Sequence, residues 1–206
     1  MNMMIEPIPQ IETQPQKRSG PFLIVGLGNP GRKFEHNRHN VGFILLNRLS
    51  TKLGEGFGRV EARALVSKPI YQGERVILVK PQTFMNNSGS SVSSLLRFYQ
   101  VPLENLLVAY DDVDLPLGVV RLRPSGGSAG QKGMQSIIER LGTEEFPRLR
   151  IGTGRPPGRQ EAADYVLQDF RSQETEPLED ALDRAVEAVL VFIRDGLDRA
   201  MNLFNG

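Results

Sequence analysis

Only two histidines occur in the 206-residue chain, His36 and His39, within Phe34-Glu35-His36-Asn37-Arg38-His39-Asn40-Val41-Gly42-Phe43. Histidine is the side chain best suited to general-base work near pH 7, so the candidates for that role are few. His39 stands directly before a helical pattern and ten residues after Asn29, so the intervening loop can fold back and join the two. Either histidine also fits an ordinary surface position. Three carboxylates follow an apolar run in Tyr110-Asp111-Asp112-Val113-Asp114-Leu115-Pro116. At a strand's end they either solvate a turn or supply one aspartate that orients a histidine, fixes its tautomer and steadies its charged form. The chain has no cysteine nucleophile, and a histidine–aspartate pair suits direct attack by water.

Two asparagine-bearing turns add polar amides. Gly26-Leu27-Gly28-Asn29-Pro30-Gly31 matches G-x-G-x-x-G, yet a dinucleotide site needs a helix opening on the third glycine and an acidic residue about 20 positions on. Here a turn follows Gly31, and Leu46-Asn47-Arg48-Leu49-Ser50-Thr51 carries no acid. What remains is a sharp turn that exposes the Asn29 amide at a strand's carboxyl end. Lys80-Pro81-Gln82-Thr83-Phe84-Met85-Asn86-Asn87-Ser88-Gly89 joins a strand to a helix. Its Asn86, Asn87 and Ser88 either cap that helix or present amides to a cleft, where an asparagine orients a water or a carbonyl. The stretch from Ser125 to Gly133 reads as a phosphate cradle or as a flexible lid. Arginines surround it. Arg121 and Arg123 share one strand face, and Arg148 and Arg150 share another, a pairing that suits a phosphate grip. His36, His39 and an aspartate such as Asp111 or Asp114 make a poor metal set, so neither a metal nor an organic cofactor is expected.

The elements that must position these groups are readable from apolar spacing. Short apolar runs at Phe22–Val25, Arg75–Val79, Leu106–Tyr110, Val119–Arg123 and Leu149–Gly152 predict strands, and Arg59–Val66 alternates as one more. Helical spacing covers Asn40–Leu53, Ser88–Tyr99 and Gly133–Leu141, the last closed by Gly142. A longer helix is expected from a Thr175 cap, with Pro177 in its first turn, to Gly196. Strands alternating with helices, without repeats, predict one α/β domain over residues 21–206. Residues 1–20, rich in Pro and Gln and without a sustained period, are expected to be a flexible N-terminal extension.

Composition bounds the function classes. An apolar fraction of 39% supports a sizeable core, and zero cysteines exclude a disulfide scaffold and a thiolate metal site. No apolar run approaches the roughly 20 residues of a membrane span, and the first residues lack a secretory pattern, so a cytoplasmic chain is expected. The formal net charge of +1 conceals an asymmetry. Residues 161–206 hold 11 acidic and 4 basic side chains, and residues 1–160 hold 21 basic and 13 acidic. Such a body suits a polyanionic partner, although an acidic helix is also simply well solvated.

Several segments together resemble the bacterial-type peptidyl-tRNA hydrolases: GLGNPG at 26–31, RHNVG at 38–42, KPQTFMNNSG at 80–89, DDVDLPLG at 111–118 and LRIGTGRP at 149–156. The resemblance implies a single-domain α/β fold, a twisted mixed sheet flanked by helices, and cleavage of the ester joining a peptide to the terminal ribose of tRNA. It also implies roles. His39 matches the catalytic histidine and Asp111 its supporting aspartate. Asn29 and Asn86 match the asparagines that position substrate and water, and Met85 lines the same pocket. Arg123 and Arg150 fall where basic residues hold a tRNA phosphate. Phe34 stands where the family often has tyrosine, on the substrate side. The glycine-rich loop departs, with Gln131-Lys132 in place of the usual His-Asn, so Lys132 sets a cation where a neutral amide contacts the peptidyl part. The implied partner is tRNA, with no membrane, no obligate protein partner and a monomeric chain. A relative of the same fold that serves RNA splicing without hydrolysis is the alternative.

Overall fold

The central strands are apolar on both sides because helices cover both faces of the sheet. The computed structural model describes residues 20–156 and 158–206, so the expected extension over residues 1–20 lies, except for Gly20, outside the described residues. Strands β1 (Phe22–Gly26), β2 (Arg59–Glu61), β3 (Ala64–Ser67), β4 (Ile70–Tyr71), β5 (Glu74–Pro81), β6 (Leu106–Asp112), β7 (Val120–Arg123) and β8 (Arg148–Gly152) form one sheet, ordered β2-β3-β5-β1-β6-β8-β7 with β4 paired to β5. The four inner strands β5, β1, β6 and β8 run parallel, and β3, β2 and β7 close the edges antiparallel.

Helices α1 (Val41–Lys52), α5 (Thr175–Asp195) and α6 (Leu197–Phe204) cover one face, and α2 (Ser88–Tyr99) and α3 (Lys132–Leu141) cover the other. Alternate residues of each inner strand serve the two cores. Phe22, Ile24, Leu107 and Ala109 face the first, and Leu23, Val25, Val108 and Tyr110 the second. Burying each such aliphatic chain contributes about 1.5–3 kcal/mol. The protein is therefore a single mixed α/β domain, as expected, and its site lies where parallel strands end.

Local differences have local causes. Arg59–Val66 is a hairpin, because Ala62 and Arg63 take φ of 45° and 58° and turn the chain without a glycine, asparagine or aspartate to signal it. Helix α5 begins at Thr175 rather than being capped by it. A 3-10 turn at Ser172–Glu174 runs straight into the helix, and the Glu174 carboxylate accepts from the Arg171 amide at 2.6 Å. The helix α4 (Ala162–Val166) is too short to show a period, whereas α6, absent from the expected elements, sets Leu197, Ala200, Met201 and Phe204 at helical spacing against the first core. Beyond α6, the Asn205 side chain accepts from Leu122 N at 2.7 Å and donates to Leu122 O at 3.0 Å, satisfying the edge strand β7.

Two glycines set the height of α1 against the sheet. A Cβ on Gly26 would meet Gly42 O at 2.2 Å, and a Cβ on Gly42 would meet Leu27 N at 2.5 Å and Ala109 O at 2.6 Å. These are backbone atoms that no rotamer relieves. The first turn of α1 can thus rest on the ends of β1 and β6, which carries His39 to Asp111. Gly42→Ala should lower stability by about 2 kcal/mol, read by thermal unfolding. It should also slow turnover, because α1 must lift away from β6; unchanged stability and rate would contradict this packing.

Candidate active site

His39 lies in a 3-10 turn, Arg38–Asn40, immediately before α1, and Asp111 is the sixth residue of β6. His39 Nδ1 is 2.8 Å from Asp111 Oδ2, with the His39 side chain 12% and the Asp111 side chain 3% exposed. A carboxylate accepts from Nδ1–H, which fixes the tautomer that leaves Nε2 with a free lone pair. The other carboxylate oxygen, Asp111 Oδ1, accepts from Gln131 Nε2 at 3.1 Å.

The pair opens on a pocket of about 500 Å³ whose lining includes Asn29, Met85, Asn86, Lys132 and α4 residues. Asn29 sits past β1. Contrary to the expected exposed amide, it is buried and its Oδ1 accepts from Met85 N at 3.0 Å, so the Nδ2 group is the part left to the pocket. Asn40 holds that turn, accepting from Asn29 N at 2.8 Å and donating to Asn29 O at 2.9 Å. Asn86, in a 3-10 turn between β5 and α2, is exposed with its amide uncommitted among the described residues. Lys132 is exposed at the start of α3. Burial pushes the Tyr110 phenol in the same pocket upward, so it stays neutral at physiological pH.

Not every expected residue joins this group. Phe34 is half-buried and does not line the pocket; Lys33 Nζ lies 4.8 Å from its ring centroid. The arginines of each strand share a face as expected, and the antiparallel register of β7 and β8, with Arg121 opposite Arg150 and Arg123 opposite Arg148, puts all four on the same side of the sheet. They serve different ends. Arg148 is buried and donates to the Gly126, Gly127 and Glu144 carbonyls, so it anchors the glycine-rich loop instead of gripping a phosphate. Arg150 is ion-paired with Asp112. Burial works against its charge, and the hydrogen bond and charge attraction of Asp112, joined by the electrostatic pull of Tyr110 and Asp114, together outweigh it and leave the pKa above the ordinary value. Arg123 is exposed and makes no ion pair among the described residues.

Sequence reading missed three groups. Asn40 pins the Asn29 turn and Gln131 pins Asp111, yet an amide carries no signal of its own until its partner is placed beside it. Arg38 is 1% exposed and lies between the Tyr165 and Phe170 rings, with its guanidinium carbon 4.2 Å and 5.1 Å from their centroids. It donates to Gln168 O at 3.1 Å, Asp169 O at 2.7 Å and Glu174 Oε2 at 2.6 Å, tying the histidine turn to the segment that carries α4. Among the described residues, no group of three or more His, Asp or Glu side chains is placed to hold a metal, and no helix is long and apolar enough to cross a membrane.

Comparison with known proteins gives one answer. A family model described as peptidyl-tRNA hydrolase matches residues 23–206. A peptidyl-tRNA hydrolase of Thermoanaerobacter sp. is 45% identical over 90% of this chain and all of its own length. A chloroplastic peptidyl-tRNA hydrolase of Arabidopsis thaliana is 43% identical over 98% of this chain and 70% of its own. Among solved structures, the Arg119Gln mutant of the Acinetobacter baumannii peptidyl-tRNA hydrolase superposes with a TM-score of 0.86 at 36% identity, covering 91% of this chain and 96% of that one.

Proposed function

Because the chain belongs to the peptidyl-tRNA hydrolase family, we propose that it hydrolyses the ester between a peptide and the terminal ribose of tRNA, with His39 as the general base. The observation that carries the reading is the 2.8 Å contact between His39 Nδ1 and Asp111 Oδ2 at a pocket shared with Asn29 and Asn86. His39 Nε2 takes a proton from water as the water oxygen bonds to the ester carbonyl carbon. Asp111 steadies the imidazolium so formed. The Asn86 amide is the side-chain donor for the developing oxyanion, a contact typically worth about 3 kcal/mol. Collapse breaks the bond to the ribose oxygen, which leaves with the proton from His39. Asn29 Nδ2 holds the substrate through its amide oxygen, and Met85 packs beside it.

The site must also spare aminoacyl-tRNA, whose amine is free and charged. A pocket that bonds a neutral peptide amide rejects the charged amine by leaving a buried polar group unpaired. Lys132 adds repulsion toward an ammonium. Phosphate contacts by Arg123 and by Arg150 supply affinity without reading base sequence, which suits an enzyme that accepts many tRNAs. A monomeric, cytoplasmic chain belongs to the same proposal. No observation favours a splicing-type relative without turnover.

The test is release of the acyl group from an N-acetylated aminoacyl-tRNA, with the unblocked aminoacyl-tRNA as control. Hydrolysis of the blocked substrate alone supports the reading, and binding of tRNA without release overturns it. In the same assay Arg123→Ala should raise KM several-fold at constant kcat and flatten the dependence of log KM on log salt by about one unit of slope. A kcat effect without a KM effect would remove Arg123 from the tRNA path.

A further inference from the structure

We infer that Gln131 is a positioning residue for Asp111, and through it for His39, holding the carboxylate in the orientation that the base requires. The inference rests on the hydrolase reading and goes beyond its residues. Gln131 is 8% exposed and immediately precedes α3. Its Oε1 accepts from Met134 N at 2.8 Å, which caps the helix and leaves only one way for the amide to face. Nε2 must then point at Asp111 Oδ1, 3.1 Å away, with Met85 Sδ at 3.5 Å on the same nitrogen.

The fit is built rather than incidental. A Cβ on Gly133 would stand 2.5 Å from Met85 Sδ and 3.0 Å from Gln131 Oε1, so the glycine leaves room for the amide to fold over the pocket floor. Asp111 thus has one oxygen for each partner, Oδ1 for Gln131 and Oδ2 for His39. The rigid start of α3 is relayed through two side chains to the imidazole. A donor on the carboxylate also tempers how strongly Asp111 holds the charged ring, since hydrogen bonds to an anion spread its charge. The other charged groups lining the pocket are Asp112 on β6, Lys132 on α3 and Asp164 on α4. Asp112 is occupied by Arg150, and Arg38, next to His39 in the chain, is occupied by Glu174. None of these reaches Asp111 Oδ1 among the hydrogen bonds of the described residues.

The deciding variant is Gln131→Glu, which keeps an oxygen for Met134 N and so keeps the helix cap, while the donor toward Asp111 is lost. Gln131→Met, measured beside it, removes the donor without adding charge. Both should lower kcat on N-acetylated aminoacyl-tRNA by about 10–100-fold, the usual cost of losing a partner that orients a functional histidine through its neighbour. KM should stay within about twofold, because tRNA affinity lies in phosphate contacts elsewhere. The acid limb of the pH–rate profile should move to higher pH in both, because a less satisfied or more anionic partner retains the imidazolium longer. A purely structural role would lower the melting temperature of Gln131→Met and leave Gln131→Glu with wild-type kcat and pH profile, which overturns the inference. So does a loss confined to Gln131→Glu, which would then come from the added charge. A wild-type chain without turnover would instead overturn the hydrolase reading beneath it.

Discussion

His39→Ala lowers kcat on an N-acetylated aminoacyl-tRNA by about 10³-fold, within the range a positioned general base supplies, and leaves tRNA affinity within twofold. The expectation follows from how little else can take the proton. The only other histidine, His36, is exposed and lines a different hollow, with Glu35 and Asp169, from the one that holds Asp111. Lys132 is a cation and donates only. Asp111 has both oxygens engaged, one by His39 and one by Gln131. Asp111→Asn should fall nearly as far for a distinct reason. Gln131 Nε2 would select the amide oxygen at position 111, turn the NH₂ toward His39 Nδ1, and force the ring into the tautomer whose Nε2 carries the proton. The pair of variants is read by single-turnover release of the acyl group together with filter binding of tRNA. Turnover above a tenth of wild type in His39→Ala would sink the assignment of the base.

The second large effect is on stability. Arg38→Met should lower the unfolding free energy by about 3 kcal/mol, since removing one partner of a buried pair strands the other. For a chain of this size that is a fall in melting temperature of roughly 10 °C. The guanidinium bonds to Gln168 O, Asp169 O and Glu174 Oε2 are lost and only partly offset, since Gln168 O keeps the backbone amide at position 38 and Glu174 Oε2 keeps the Arg171 amide. Methionine fills much of the volume between Tyr165 and Phe170, so the loss reports the guanidinium rather than a cavity. Arg38→Lys should rescue little, because one ammonium matches neither the fork of donors nor the stacking of a planar group between two rings. Hydrogen exchange is the second readout. Amides of residues 162–171, which Arg38 ties to the histidine turn, should exchange faster in the variant while those of β1 and β6 keep their protection. Uniform loss of protection would mean that Arg38 supports the whole core instead of this wall of the pocket.

The extent to which the sequence was legible differs between residues that act through their type and residues that act through their place. His39, Asp111 and Asn86 stood out because their types are suited to the chemistry and their segments flank strands and helices of clear period. Gln131 and Asn40 did not, because an amide becomes a positioning group only when its partner arrives. Arg148 and Arg123 are alternate-strand arginines that look alike in the chain. One turned inward onto the carbonyls of Gly126 and Gly127 and the other stayed exposed. Phe34 was placed on the substrate side by resemblance, and the fold leaves it outside the pocket lining.

Apolar period and turn chemistry are short-range properties, carried within a dozen residues. By itself the sequence therefore determined that β1, β5, β6 and β8 would be buried strands and that α1, α2, α3 and α5 would be helices, and it narrowed the candidates for a base to His36 and His39. It also carried the ordered motifs of the family. Strand order is a long-range property, set by which apolar faces find each other and by close approaches such as that of Gly26 to Gly42, where a Cβ on Gly26 would stand 2.2 Å from the Gly42 carbonyl oxygen. Only the tertiary structure decided that β1 lies between β5 and β6. That neighbourhood brings Asn29, Asn86 and Asp111 to one edge and sets Asp111 72 residues from His39 in the chain yet 2.8 Å away in space.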